Sequence, residues 1–230
     1  MEGLGDKIKK ASGNRTAYFM FGRFQPPHIG HINIINEMYK IAEEKKADSY
    51  VFVSSTNKEN NPLTVYQKIT WLTKQMPNSN VRFINTTECL KENNSVVKAC
   101  KTIFNVMDAL KNQGYTNIIL CVGSDRVANF SKLTKYMTIL GLGKERNKNS
   151  KNVLQSISGT KMRNLSMQND EESITSFMKG VSLSRNDALR LKNQLTLGMK
   201  KFGKNSKKRA SPPKSPTRKS PTRKSRKSPP

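Results

Sequence analysis

Phe19-Met20-Phe21-Gly22-Arg23-Phe24-Gln25-Pro26-Pro27-His28-Ile29-Gly30-His31 is the stretch on which the fold turns. The residues leading into it, Thr16 to Phe21, are largely aromatic and apolar and read as a short β-strand. Gly22 has no Cβ and lets the backbone come close to a ligand. Pro26 and Pro27 end strand pairing and suit the entry to a helix, where a missing N–H costs nothing. From His28 onward Ile32, Ile35, Tyr39 and Ala42 recur at spacings of three and four, which predicts a helix. His28 and His31 then share one side of its first turn, and Gly30 between them leaves room for a substrate. A helix start offers N–H groups and partial positive charge, so it attracts phosphate. The two histidines of this stretch are the only two in the chain. Paired imidazoles there add donors that can follow a moving charge.

Outward from this stretch, strands alternate with helices. Helix one ends near Glu43-Glu44-Lys45-Lys46. Ser49 to Ser54 reads as a buried strand. Thr64-Val65-Tyr66-Gln67 has capping-box spacing for a helix that reaches about Met76. Val81 to Asn85 is a third strand; Val96, Ile103 and Met107 mark a third helix that Gly114 can stop. Asn117 to Val122 is the fourth and most apolar strand, Asp125 to about Tyr136 a fourth helix, and Met137 to Leu142 a fifth strand. Lys144 to Asn152 is a polar, basic loop. This alternation implies an α/β, doubly wound parallel sheet of about five strands, with ligands at the carboxyl ends of the strands. Past residue 160 the strand signal stops, and Lys161–Met167, Glu171–Lys179 and Ser184–Met199 read as helices. Trp71, beside Ile69 and Leu72, reads as core.

Two further segments carry chemistry. In Ser156-Ile157-Ser158-Gly159-Thr160-Lys161-Met162-Arg163, Ser158 and Thr160 can cap a helix while offering hydroxyl donors. Gly159 permits a tight turn beneath a ligand, and Arg163 lies one turn along, where its fork can reach the same anion. Val122-Gly123-Ser124-Asp125-Arg126, with Phe130 after it, is the other. There Gly123 permits close approach, and Asp125 either caps a helix or accepts a ligand hydroxyl. Lys68, after Asn61-Pro62-Leu63-Thr64, either meets a phosphate or projects as a solvated helix residue.

Gly22-Arg23-Phe24-Gln25-Pro26-x-His28-x-Gly30-His31 resembles the signature of the HxGH nucleotidylyltransferase superfamily. Its Gly-Arg-Phe-Gln-Pro lead-in is most similar to nicotinamide mononucleotide adenylyltransferases of archaeal type and to related phage and large-virus proteins. The second segment is similar to that family's Ile-Ser-x-Thr-x-x-Arg sequence, and Gly123-Ser124-Asp125 to its Gly-x-Asp segment. The resemblance covers about residues 15–165. It implies a Rossmann-like fold and transfer of a nucleotidyl group from a triphosphate, ATP favoured, to a phosphate-bearing acceptor, with pyrophosphate released. It implies catalytic roles for His28, His31 and Arg163. Gly22, Arg23, Phe24, Gly30, Gly123, Ser124, Asp125, Ser158, Gly159, Thr160 and Lys161 would bind the nucleotide. Mg²⁺ is expected on the substrate phosphates, held largely by substrate and water. A class I aminoacyl-tRNA synthetase fragment shares the His-x-Gly-His tetrad, but Lys161-Met162-Arg163-Asn164-Leu165-Ser166 only loosely resembles that family's second motif.

Composition adds a second theme. The net charge is +26, and residues 200–230 contribute 13 Lys and Arg with no acid. Setting them aside leaves 29 basic against 16 acidic residues, so the remaining body is still basic. Nucleotides suit such a body, as does nucleic acid, which opens the reading of an inactive domain retained as a nucleic-acid binder. The tail repeats Ser215-Pro216-Thr217-Arg218-Lys219 as Ser220-Pro221-Thr222-Arg223-Lys224 and is expected to be disordered. Three organisational units follow: 15–165 catalytic, 166–199 helical and 200–230 tail. Cys89, Cys100 and Cys121 lack metal-ligand spacing and read as reduced thiols of an intracellular protein, cytoplasmic or nuclear. No leader-like or membrane-spanning apolar run is present.

Overall fold

The computed structural model describes residues 14–89, 99–144 and 156–208, with side chains through Phe202. Val96, the loop from 145 to Asn152 and the tail beyond Lys208 lie outside the described residues. Five strands form one sheet, with every pair parallel, in the order β3-β2-β1-β4-β5. They are β1 (Thr16–Gly22), β2 (Asp48–Val53), β3 (Arg82–Asn85), β4 (Asn117–Gly123) and β5 (Thr138–Leu142). The central β1 pairs with β2 from Ala17↔Asp48 to Gly22↔Val53, and with β4 from Thr16↔Asn117 to Phe19↔Leu120. The order reverses at β1, so the crevice outside its carboxyl end is the natural ligand position.

Side chains of β1 alternate between two cores, as the pleat requires. Tyr18 and Met20 pack with Ile32, Ile35 and Met38 of α1 (Ile29–Glu44) and Leu72 of α2 (Val65–Gln75). Ala17 and Phe19 pack with Val106 and Leu110 of α3 (Ile103–Asn112). Helices therefore cover both faces. The expected capping box forms: Thr64 accepts from the Gln67 N–H, and the Gln67 side chain accepts from the Thr64 N–H. Three helices follow, α4 (Gly159–Met167), α5 (Glu171–Lys179) and α6 (Arg185–Lys208). They build a third core in which Met162, Phe177, Leu191 and Leu195 enclose Leu63 and Trp71. Residues 166–199 thus close over α2 and α4, and the Trp71 Nε1 donates to Gln194 at 2.8 Å.

Four features differ from the sequence expectation. The segment after β4 is a 3₁₀ helix, Ser124–Leu133, and none of its residues is buried. Without a buried apolar stripe, nothing enforces a 3.6-residue period. The last helix runs through Lys208 rather than Met199, so the boundary placed at 199/200 falls inside it. Cys89 and Cys100, one just past β3 and the other just before α3, are joined in a disulfide with Cα atoms 5.4 Å apart; Cys121 alone is a free, buried thiol. Lys68 is fully buried instead of solvated, because it lies on the inward stripe of α2 with Val65 and Leu72. Among the described residues no helix is long and apolar enough to cross a membrane.

Candidate active site

The site stands where β1 turns into α1. His28 is the N-cap of α1, with extended backbone, and is buried at 4% exposure. His31 lies one turn on, and the two imidazoles face each other with centroids 3.8 Å apart and planes 31° apart. Phe24 holds this pair from the other side, edge-on to His31 at 5.0 Å. Phe24 itself sits in the left-handed region at φ 47°, which folds its ring back over Gly22. A Cβ at residue 22 would stand 2.8 Å from that ring. The bare backbone of Gly22 therefore makes room for Phe24. Gly30 is likewise in contact with the His28 ring and Ile157, each 3.2 Å from where its Cβ would be.

The second segment arrives from α4. Ser158 is its N-cap and accepts from the Lys161 N–H at 3.2 Å. Arg163 donates to the Gln25 main-chain carbonyl at 2.7 Å and to Thr160 Oγ1 at 3.1 Å. Lys161 donates to Ser156 Oγ at 2.6 Å. Gly159 allows this approach, since a Cβ there would stand 2.7 Å from the Gln25 oxygen. The two sequence segments, more than 130 residues apart, thus meet at one backbone carbonyl.

Charge gathers at the same place. Arg23 is exposed, while Lys68 donates its ammonium to the carbonyls of Ser54 and, at 3.1 Å, of Thr56. Burial, and then the neighbouring Arg23, lower the Lys68 pKa to about 8. Burial and the same Arg23 also hold Arg163 below its ordinary value. Arg23 therefore acts on both Lys68 and Arg163. The ion pairs formed among the described residues lie elsewhere, Arg15 and Arg82 on Asp48, and Lys74 and Arg190 on Asp187. Such a cluster suits a polyphosphate.

Across the switch point, Ser124 donates to the carbonyls of Leu142 at 3.0 Å and Gly143 at 2.5 Å, tying β5 to the start of the 3₁₀ helix. Asp125 lies in the first turn of that helix, whose N-cap position is Gly123, and its Oδ1 stands 2.9 Å from where a Gly123 Cβ would be. This third segment is at the carboxyl end of β4, beside the crevice.

The Cytidylyltransferase-like family profile matches residues 19–173, two thirds of the chain. The chain belongs to the cytidylyltransferase-like family. It is by that membership a nucleotidyltransferase, and the matched span takes in the histidine pair, Lys68, the Gly123-Ser124-Asp125 turn and Arg163. No curated protein sequence matches it. Among solved structures it is similar to a Vibrio parahaemolyticus protein assigned by inference as a nicotinate-nucleotide adenylyltransferase. The TM-score there is 0.53 at 15% identity, covering 79% of this chain and 96% of that one, which is a likeness of fold. A bifunctional NMN adenylyltransferase/ADP ribose pyrophosphatase from Francisella tularensis matches with TM-score 0.48 and 13% identity, covering 85% of this chain and 54% of that one. The Plasmodium falciparum nicotinic acid mononucleotide adenylyltransferase complexed with NaAD matches with TM-score 0.47 and 12% identity, covering 72% of this chain and 95% of that one.

Sequence reasoning missed Gln25 as a site component. It lies inside the signature, yet its bonds reach residues 63 and 163, and no local pattern reports them.

Proposed function

We propose that this nucleotidyltransferase is an adenylyltransferase that joins AMP from ATP to the phosphate of nicotinamide mononucleotide. An acceptor phosphate oxygen attacks the α-phosphorus in line. A new P–O–P link forms, the α–β bridging bond breaks, and pyrophosphate leaves with the electron pair. Such transfer needs positioning and charge stabilisation rather than a protein nucleophile. His28 and His31 donate to the α-phosphate and bridging oxygens. Arg163, with Ser158 and Thr160, holds the leaving pyrophosphate. Arg23 and Lys68 add charge on the side of β2. Gly123, Ser124 and Asp125 take the nucleoside end.

The observation that carries this reading is the stacked His28–His31 pair, in a segment that Arg163 grips through the Gln25 carbonyl. Mg²⁺ enters on the triphosphate: the side chains gathered here are imidazoles and cations, so its hard oxygen ligands are phosphates and water. Among the described residues no group of His, Cys, Asp or Glu could hold a metal by itself. The Gly-Arg-Phe-Gln-Pro lead-in favours nicotinamide mononucleotide. The Vibrio neighbour puts the nicotinate nucleotide on the same panel. The basic stretch 200–230 is proposed to hold polyanions such as nucleic acid without serving the reaction. The test is incubation with each nucleoside triphosphate and a panel of phosphate acceptors, with products identified by mass. A nicotinamide–adenine dinucleotide is expected; a product made only from cytidine triphosphate would overturn the assignment.

A further inference from the structure

We propose that Gln25 is a positioning residue of the nucleotidyl-transfer site, setting three cations from three separate segments against one triphosphate. The inference rests on the proposed transfer reaction and adds to it a residue that never touches the reacting atoms.

Gln25 is buried at 4% exposure. Its side-chain amide makes both bonds of a strand-like pair with the Leu63 backbone. Nε2 donates to the Leu63 carbonyl at 2.7 Å, and Oε1 accepts from the Leu63 N–H at 3.0 Å. Only a primary amide supplies that donor and that acceptor side by side; a carboxylate offers acceptors alone and a thioether neither. Leu63 precedes Thr64, the cap of α2, and the Lys68 N–H donates to the Thr64 carbonyl at 3.1 Å. The clamp therefore fixes the start of the helix that carries Lys68. The Gln25 main-chain oxygen meanwhile accepts from Arg163, and Arg23 lies two residues away in sequence.

One residue thus ties the Arg23 turn to the Lys68 helix by its side chain and to the Arg163 helix by its backbone. Burial first, and then the like charge of Arg23, lowers both Lys68 and Arg163 from their ordinary values. In the absence of ligand the cluster is held convergent by the Gln25–Leu63 amide pair and by backbone carbonyls that accept from Arg163 and Lys68. A triphosphate then meets cations already in place, which preserves affinity that reorganisation would consume.

The probe is inorganic tripolyphosphate, followed by calorimetry at pH 7, beside thermal unfolding and steady-state kinetics. Gln25→Met, which fills the space without hydrogen bonds, is expected to weaken tripolyphosphate binding about tenfold. It should raise KM for the triphosphate with little change in KM for the acceptor. Gln25→Asn, one methylene short of Leu63, should do the same, and serves if the methionine variant fails to fold. In a Lys68→Met background the Gln25 substitution should cost less than threefold, because its effect passes through the Lys68 helix. A purely structural residue would lower Tm and leave the affinity of the folded fraction intact. Affinity within twofold of the unsubstituted chain, or an equal loss in both backgrounds, would overturn the role of Gln25. Failure of the unsubstituted chain itself to bind tripolyphosphate would strike at the transfer reading instead.

Discussion

Lys68 should make triphosphate binding a proton-uptake reaction. Its side chain is fully buried, its ammonium spends two donors on the Ser54 and Thr56 carbonyls, and its pKa is lowered to about 8 by burial and by Arg23. At pH 8 about half of the free protein therefore carries a neutral lysine. A triphosphate bound against Arg23 reverses the local potential and returns Lys68 towards its ordinary value of 10.5. Binding should then take up about 0.5 proton at pH 8 and about 0.9 at pH 9, by linkage. Affinity should fall about tenfold between pH 7 and pH 9, or about 1.4 kcal/mol. The phosphate oxygens are already ionised over most of that range, so they add little to the slope. Calorimetry of a non-hydrolysable ATP analogue in two buffers of different ionisation heat measures the uptake directly. In Lys68→Met the uptake and the pH dependence should both vanish. Equal uptake in that variant, or none in the unsubstituted chain, would refute the reasoning. For the free protein the sign is opposite. The unfolded chain keeps a proton that the folded one sheds, so this group adds stability as pH rises from about 8 towards 10.5.

His31→Ala should lower turnover by several orders of magnitude while costing about 0.5–1.5 kcal/mol of stability, the worth of its ring contacts; turnover and thermal unfolding on the same sample decide it. Arg163→Ala should weaken triphosphate binding by about 1.5–3 kcal/mol, and calorimetry showing unchanged affinity would place that side chain outside the phosphate site. Tyr115 donates to Asp48 at 2.5 Å and its oxygen lies 2.6 Å from the Tyr50 oxygen. Both phenols are pushed up, Tyr115 strongly, with burial the first cause. Their stabilisation is complete below about pH 10 and lost as pH rises further, so urea unfolding should show a steep alkaline decline that Tyr115→Phe reduces. A chain ending at Lys208 loses eight Lys and Arg. Turnover should persist while the DNA-binding salt slope falls by up to ~7, and an unchanged slope would assign binding to the body.

Much of the fold was legible because it is local. The aromatic and apolar run Thr16–Phe21, the Thr64–Gln67 capping box and the spacing of Ile32, Ile35 and Ala42 each need only a few neighbouring residues, and each forms as read. The histidine pair was legible in its position at the start of α1, but His28 is the extended N-cap of that helix and not a member of its first turn, so the spacing of three alone did not settle the ring geometry. Of the two readings of Lys68, the solvated one fails because its stripe, marked by Val65 and Leu72, is the inward one, which its charge had obscured. The disulfide escaped notice because a separation of 11 residues carries no local pattern that brings Cys89 to Cys100. Gln25 escaped notice for a related reason, its partners being 38 and 138 residues away.

The strand order also sets a timetable. Thr16 of β1 must pair with Asn117 of β4, so the flank of β1 facing β4 waits for roughly a hundred residues of synthesis. At a translation rate of ~5–20 residues per second that wait is about 5–20 s. During it, β1 can pair with β2, and β2 with β3, but β1 shows an unpaired backbone edge along Thr16-Ala17-Tyr18-Phe19. Open apolar edges are templates for wrong pairing. The ribosome-bound chain is therefore most vulnerable through the very strand that later delivers both histidines, and a holding chaperone has its best target there until β4 emerges.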